Sequence, residues 1–244
     1  MKSVVLEFKR VCYQEKGEEA DLSEVTFSLR KGQRTIIQCV RSDQFETIWR
    51  LLQTNLKPHE GNINAPVRDQ CYSNRRLETG LNLQKSVLEN LASPRFVMRP
   101  WVAGRPRTWQ QLADILEVPN STLRRPLDSV ESIGLQRIIW MFLWCLDVEL
   151  LILVSVLEDL DQSLKRPVLK WWEESEGTIL YLGKPSKDFS FHNHFTIKSN
   201  GHLIDQNSHM TTFGEQSCVW CDTQVIKNAS PTMVIIHIHN QRFI

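Results

Sequence analysis

The pattern of apolar and polar positions is most distinctive over residues 129–161, SVESIGLQRIIWMFLWCLDVELLILVSVLEDLD. In its first half Leu135, Ile138, Ile139, Phe142, Leu143 and Leu146 recur at helical spacing, which predicts a helix with one wide apolar face. Leu150–Val154 is then an uninterrupted aliphatic run, the pattern of a parallel-sheet strand buried on both faces. A buried helix feeding a buried strand is the hub of an α/β domain. The competing reading is a transmembrane helix, which needs about 20 apolar residues. Asp147 and Glu149 interrupt the run, and no polybasic flank follows it.

The remaining pattern fits that hub. Residues 4–11 and 22–29 read as strands separated by a charged loop over 14–21. Lys31-Gly32 turns the chain into a third strand over 35–39, followed by a polar loop over 40–44 and a helix through 48–52. A turn over 57–61 leads to a strand opening at Asn62-Ile63. Residues 109–116 predict a helix with Trp109, Leu112 and Leu116 on one face, and Thr178–Leu182 predicts a strand. Beyond Leu182 the chain reads as antiparallel β. A hairpin joins 194–198 to 202–205 through Ser199-Asn200-Gly201, where Asn-Gly predicts a type I′ turn. A tail from Gly214 ends in an expected strand over 233–239.

Composition narrows the class without naming one. With 244 residues the chain forms one large or two small domains with room for a substantial core. A net charge of +1 makes no electrostatic case for nucleic acid or anionic lipid as the main partner. No apolar signal segment follows Met1, since charges are dense from Leu6 to Glu19. The six cysteines stand at 12, 39, 71, 145, 218 and 221. Cys12, Cys39 and Cys145 fall within expected strands and a helix, where free thiols are ordinary, and this points to a reducing compartment. Cys218 and Cys221 with nearby histidines invite a zinc reading, but one CxxC without a second pair favours ordinary strand and loop residues, and no metal is expected. The eight tryptophans are scattered and suggest no function.

Ligands of open α/β sheets bind beyond the carboxyl ends of the strands. A nucleotide hydrolase places there an Asp for Mg²⁺ and a Glu that polarises water. This chain has Val154 and Ser155, and neither can do that work.

The order strand, strand, strand, loop, helix and LKPHEG turn resembles the start of an ATP-binding cassette (ABC) domain. Ser86-Val87-Leu88-Glu89-Asn90-Leu91 is similar to the segment that opens the family's helical subdomain, Gln136-Arg137 to its QR after the signature motif, and Leu160-Asp161 to its D-loop. The resemblance covers roughly residues 1–205 and rests on scaffold segments. It implies an α/β fold with a RecA-like P-loop NTPase core of the ABC ATPase type, a small helical subdomain and peripheral antiparallel β. A single domain is expected over 1–244, with core segments 1–75 and 134–185, the helical subdomain over 76–133, and a C-terminal hairpin and tail over 186–244.

Each chemical motif of the family departs from its pattern. Cys39 to Thr47 (CVRSDQFET) stands where GxxGxGK(S/T)(S/T) belongs. A phosphate loop needs glycines whose N–H groups curl around phosphates, a Lys as counter-charge and a hydroxyl for Mg²⁺. No glycine remains. Phe45 takes the Lys position and Glu46 the hydroxyl, Asp43 adds a second negative charge, and only Thr47 fits. One carboxylate 4 Å from a phosphate charge costs on the order of 4 kcal/mol at an effective dielectric of about 20. Glu15 or Tyr13 falls near the adenine-stacking aromatic, and only Tyr13 retains a ring. Asn74 falls near the Q-loop glutamine, Ser132 and Gly134 remain of the signature, and Lys184 stands at the switch histidine.

The resemblance therefore implies a catalytically inactive subunit of a membrane ABC transporter, without a cofactor of its own. An active ABC ATPase subunit would supply the ATP and Mg²⁺ site, and transmembrane permease subunits would hold the pair at the cytoplasmic face of the membrane. The expected docking surface is the proline-broken basic segment with Arg95, Arg99, Arg105 and Arg107, continuing to Arg124 and Arg125. A solvated loop near anionic headgroups is the equal alternative for that segment. For the whole chain, a soluble regulatory or assembly protein on a retired cassette is the second reading, and a divergent active ATPase the third.

Overall fold

In the computed structural model, residues 3–207 are described, apart from 16–18, 54, 66–69, 73–81, 93–107, 147 and 159. The tail, with Cys218, Cys221 and the expected strand over 233–239, lies outside the described residues, as do Asn74, Arg95, Arg99, Arg105 and Arg107. Three strands, β1 (Val4–Tyr13), β2 (Leu22–Arg30) and β4 (Glu60–Asn64), form an antiparallel sheet in the order β2-β1-β4. The central sheet has six strands in the order β5-β6-β7-β3-β8-β9. These are β3 (Arg34–Cys39), β5 (Gln70–Tyr72), β6 (Leu150–Val154), β7 (Thr178–Leu182), β8 (Asn193–Ile197) and β9 (Leu203–Asp205).

The period of two along these strands divides the molecule into two cores. Leu151, Leu153, Ile179, Tyr181 and Ile36 face one core, and Leu150, Ile152, Leu180, Leu182 and Ile37 face the other. That explains why β6 reads as a continuous aliphatic run: it has parallel neighbours on both edges and apolar layers on both faces. The second core also takes up the inner face of the antiparallel sheet, including Leu6, Phe8, Leu22, Val25 and Leu29, and α1 (Ser42–Leu52) through Ile48, Trp49, Leu51 and Leu52.

The first core is helical. Its elements include α2 (Val87–Leu91), α3 (Trp109–Ile115), α4 (Asn120–Leu123), α5 (Ser132–Cys145) and α6 (Gln162–Glu174). The expected single apolar face of α5 is too narrow a description. Ile138 and the unbroken run Trp140 to Cys145 are all buried, because the helix sits between the sheet and the other helices. Three of the tryptophans gather in this core: Trp140 meets Trp171 edge-on at 5.4 Å, Trp171 meets Trp172 at 6.4 Å, and Trp172 meets Phe189 and Phe191 at 5.4 and 5.3 Å, while Trp49 belongs to the second core. Among the described residues no helix is long and apolar enough to cross a membrane.

Two expectations for the hairpin need correction. β8 is antiparallel only to β9; it runs parallel to β3 and so belongs to the central sheet. The connecting turn is not type I′, which needs positive φ at both Asn200 and Gly201. Only Gly201 has it, at +82°. Gly201 N–H donates to Lys198 O at 2.9 Å and Lys198 N–H to His202 O at 3.0 Å, a three-residue loop closed by a left-handed glycine. A side chain on Gly201 would stand 3.0 Å from Ala20 O and Ser23 N, so glycine lets the hairpin pack against the start of β2.

Candidate functional site

The segment at the phosphate-loop position leaves β3 at Cys39, exposes Val40 and enters α1 at Ser42. Arg41 precedes the helix in extended conformation and turns its guanidinium back across the helix start. Its Nη2 donates to Asp21 Oδ1 at 2.6 Å and to Asp43 Oδ2 at 2.5 Å, and its Nε to Asp43 at 3.2 Å. Its Nη1 donates to Ser199 O at 3.2 Å and lies 3.5 Å from Glu19 Oε2. Thus one guanidinium ties together the β1–β2 connection, the first turn of α1 and the β8–β9 turn.

Buried polar groups complete the knot. Gln44, with no exposed surface, accepts the Arg41 N–H at 3.2 Å and donates to Asp21 O at 3.2 Å and Lys198 O at 2.8 Å. Thr47 Oγ1 donates to Asp21 Oδ2 at 3.1 Å. Asp21 is only 2% exposed, and burial pushes its carboxyl above the usual range against the lowering effects of Thr47 and Arg41. Asp43 is held below its usual range by the Arg41 hydrogen bonds.

This arrangement corrects the expectation of an isolated Asp43 charge, because Arg41 neutralises it directly. The same guanidinium serves three carboxylates, Glu19, Asp21 and Asp43. The residues do not fit a triphosphate with Mg²⁺. The hydroxyl of Thr47 and the guanidinium of Arg41 are engaged within the chain, and no glycine frees the backbone to wrap a phosphate.

Several of the other expected positions are engaged in structural contacts. Tyr13, at the end of β1, stacks on His59 with ring centroids 5.0 Å apart. Phe45 is half-buried against the second core and Glu46 is exposed. Val154 ends β6, and Ser155 follows with φ +52°, held by its N–H on Leu182 O at 2.8 Å and its Oγ on Glu158 Oε1 at 2.9 Å. The same Glu158 oxygen accepts the Lys184 N–H at 2.9 Å, while the Lys184 side chain is exposed. Ser132 and Gly134 lie in the first turn of α5.

Asp161 caps α6 by accepting the Ser163 N–H at 2.9 Å and the Ser163 hydroxyl. The Ser163 contacts, with a smaller contribution from Arg137, hold its carboxyl below the usual range. Arg137 Nη2 donates to Ser163 Oγ at 2.7 Å, and its Nη1 donates to Leu116 O and Glu117 Oε2 at 3.0 and 2.8 Å. The Gln136-Arg137 pair therefore acts as a brace between α3's end and α6's start, with Gln136 Oε1 accepting the Asp161 N–H at 3.3 Å.

Sequence reasoning missed Asp21, Gln44 and Glu158. Asp21 sits in a charged loop whose other acids look the same in sequence, and only the fold selects it for burial. Gln44 was legible in part: a polar residue one turn ahead of Ile48 on the buried face of α1 has to find partners.

The sequence matches no protein-family model and no curated protein. Solved structures do match. MJ1267, an ATP-binding cassette of an ABC transporter in its ADP conformation, is similar over 83% of this chain and 90% of its own, at 13% identity and a TM-score of 0.59. The ATP-binding cassette MJ0796, in a dimeric post-hydrolysis state with ADP and Pi, is similar over 82% and 98%, at 13% identity and a TM-score of 0.58. A bacterial Atm1-family ABC exporter with ATP bound is similar over 84% of this chain and 39% of its own, at 13% identity and a TM-score of 0.62. At such low identity the likeness speaks for the fold, and that fold is the α/β fold of the ABC ATP-binding cassette.

Proposed function

We propose that this chain is a cassette-like subunit of an ABC transporter that has given up ATP hydrolysis. It would pair with an active ATPase subunit and dock on transmembrane permease subunits at the cytoplasmic face of the membrane. The observation that carries the proposal is the Arg41–Asp43–Asp21 knot, with Gln44 and Thr47 satisfied inside it, where a working cassette would hold phosphates. ATP and Mg²⁺ then belong to the partner's site, and this chain contributes surface. One such surface is a groove of about 380 Å³ on the helical region, lined by Leu88, Trp109, Asn120, Leu123 and Arg124. The exposed Arg124 and Arg125 end the basic segment that the sequence marks for docking.

The test is a titration of the purified chain with Mg–ATP, followed by tryptophan fluorescence and phosphate release. Binding weaker than about 1 mM and no turnover are expected. Micromolar binding, with turnover lost in Asp161→Ala or Thr47→Ala, would show a divergent active ATPase. Co-purification with membrane subunits separates a transporter subunit from a soluble regulatory protein.

A further inference from the structure

We propose that the Arg41 knot is an internal substitute for a bound nucleotide, locking the outer sheet, α1 and the β8–β9 turn in one arrangement without any ligand. This rests on the reading of the chain as a cassette without its own nucleotide. The geometry supplies the parts. The Asp43 carboxylate sits at the start of α1, where the helix N-terminus favours negative charge. The Arg41 guanidinium, which is 21% exposed, supplies the counter-charge and carries it onward to Asp21 and Ser199 O. Charge-assisted contacts of this kind are roughly twice as strong as neutral ones.

Three separate pieces of chain converge on these groups, and none of them is joined to its neighbour by a short covalent path. Asp21 is 20 residues before Arg41, and Ser199 is 158 after it. Beside the knot, Ser23 N–H donates to Gly201 O and Val40 N–H to Ile197 O, both at 3.0 Å, so the same junction has a backbone component. Gln44 spans it from below, holding Asp21 O and Lys198 O with one amide. Among the described residues the junction is therefore joined without a ligand, and a nucleotide could shift it only by favouring a different arrangement of these same groups.

The experiment is amide hydrogen exchange on the full chain, wild type against Arg41→Gln, each with and without millimolar Mg–ATP. In wild type the amides of Ser23, Val40 and Gly201 should be protected and indifferent to nucleotide. Arg41→Gln should raise their exchange by about tenfold, while Ser155, whose N–H bonds Leu182 O on the β6–β7 side, stays unchanged. Unchanged exchange at Ser23, Val40 and Gly201 in Arg41→Gln overturns the lock and leaves the inactive-cassette reading standing. Protection or a melting temperature that rises with Mg–ATP in wild type overturns that reading and the lock with it. Should Arg41→Gln not fold, Asp43→Asn is compared at the same amides with the same criterion, since it removes one arm of the knot and keeps the guanidinium.

Discussion

At position 43 a carboxylate means one thing alone and another beside Arg41. From sequence it reads as a charge that repels phosphate; in the fold it is one end of an ion pair, and the two readings lead to different pH behaviour. Asp43 has a depressed value in the folded state, so its stabilising contribution is complete above the unfolded carboxylate range, near 3.9, and is lost as pH falls through the folded value. Asp21 works the other way. Burial raises it, so its contribution is present below the unfolded value and is lost as pH rises through the folded one. Urea midpoints measured from pH 7 down to 3 should therefore fall below about pH 4, and the fall should be shallower in Asp43→Asn. Equal slopes in the two proteins would mean that the pair contributes nothing. A second residue-scale prediction concerns Glu117, which holds φ +51° just past α3. Val118 N–H donates to Ala113 O at 2.8 Å and Glu117 N–H to Asp114 O at 3.1 Å, the Schellman arrangement that favours glycine. Glu117→Gly should stabilise by about 0.5–1 kcal/mol in urea unfolding, because relief of left-handed strain exceeds the loss of an exposed pair with Arg137.

Among the elements, those with a clean period were legible and those carrying a contradictory residue were not. The strand Leu150–Val154 could be read with its neighbours, because an aliphatic run flanked by polar turns has few alternatives. Helix α6 escaped because Pro167 sits in its interior, where it lacks an N–H and crowds the preceding turn. Its apolar stripe of Leu164, Val168, Trp171 and Trp172 has helical spacing all the same, and tertiary burial overrides the proline. Asn200-Gly201 misled in the opposite sense: the dipeptide suits a two-residue turn, but hydrogen bonds from Lys198 and packing on β2 select a three-residue loop. The tryptophans were individually unreadable, since their meeting depends on α5 and α6 lying side by side. Trp172 is fully buried among Trp171, Phe189 and Phe191 and donates to Ser190 O at 3.0 Å. Trp172→Ala should cost about 3–5 kcal/mol, measured as a shift in urea midpoint without a change in slope. A cost under about 1 kcal/mol would mean that the neighbouring rings collapse into the space.

For the whole molecule, the fold was legible because its parts keep their order, while the candidate site was legible only as a set of losses. Sequence shows which residues a phosphate loop lacks; it does not show that Arg41 reaches Asp21 and Ser199, because that needs three distant segments to be brought together. The same holds for Arg137. In sequence it is half of a two-residue motif; in the fold its guanidinium joins the helical region at Leu116 and Glu117 to the start of α6 at Ser163. The Arg137 side chain is 15% exposed, and its bond to Leu116 O is partly buried while those to Glu117 O and Ser163 lie nearer the surface. Arg137→Met should therefore loosen one region against the other before the sheet opens. The expected cost is about 1.5–3 kcal/mol, as for hydrogen bonds to a charged group, and Arg137→Lys should recover only part of it because an ammonium cannot reach both sides as a fork does. Amide exchange should accelerate at Leu116 and Val118, while the β6 and β7 amides keep wild-type protection. Uniform acceleration across both regions would show that the brace stabilises the molecule as one unit and not as a joint between two.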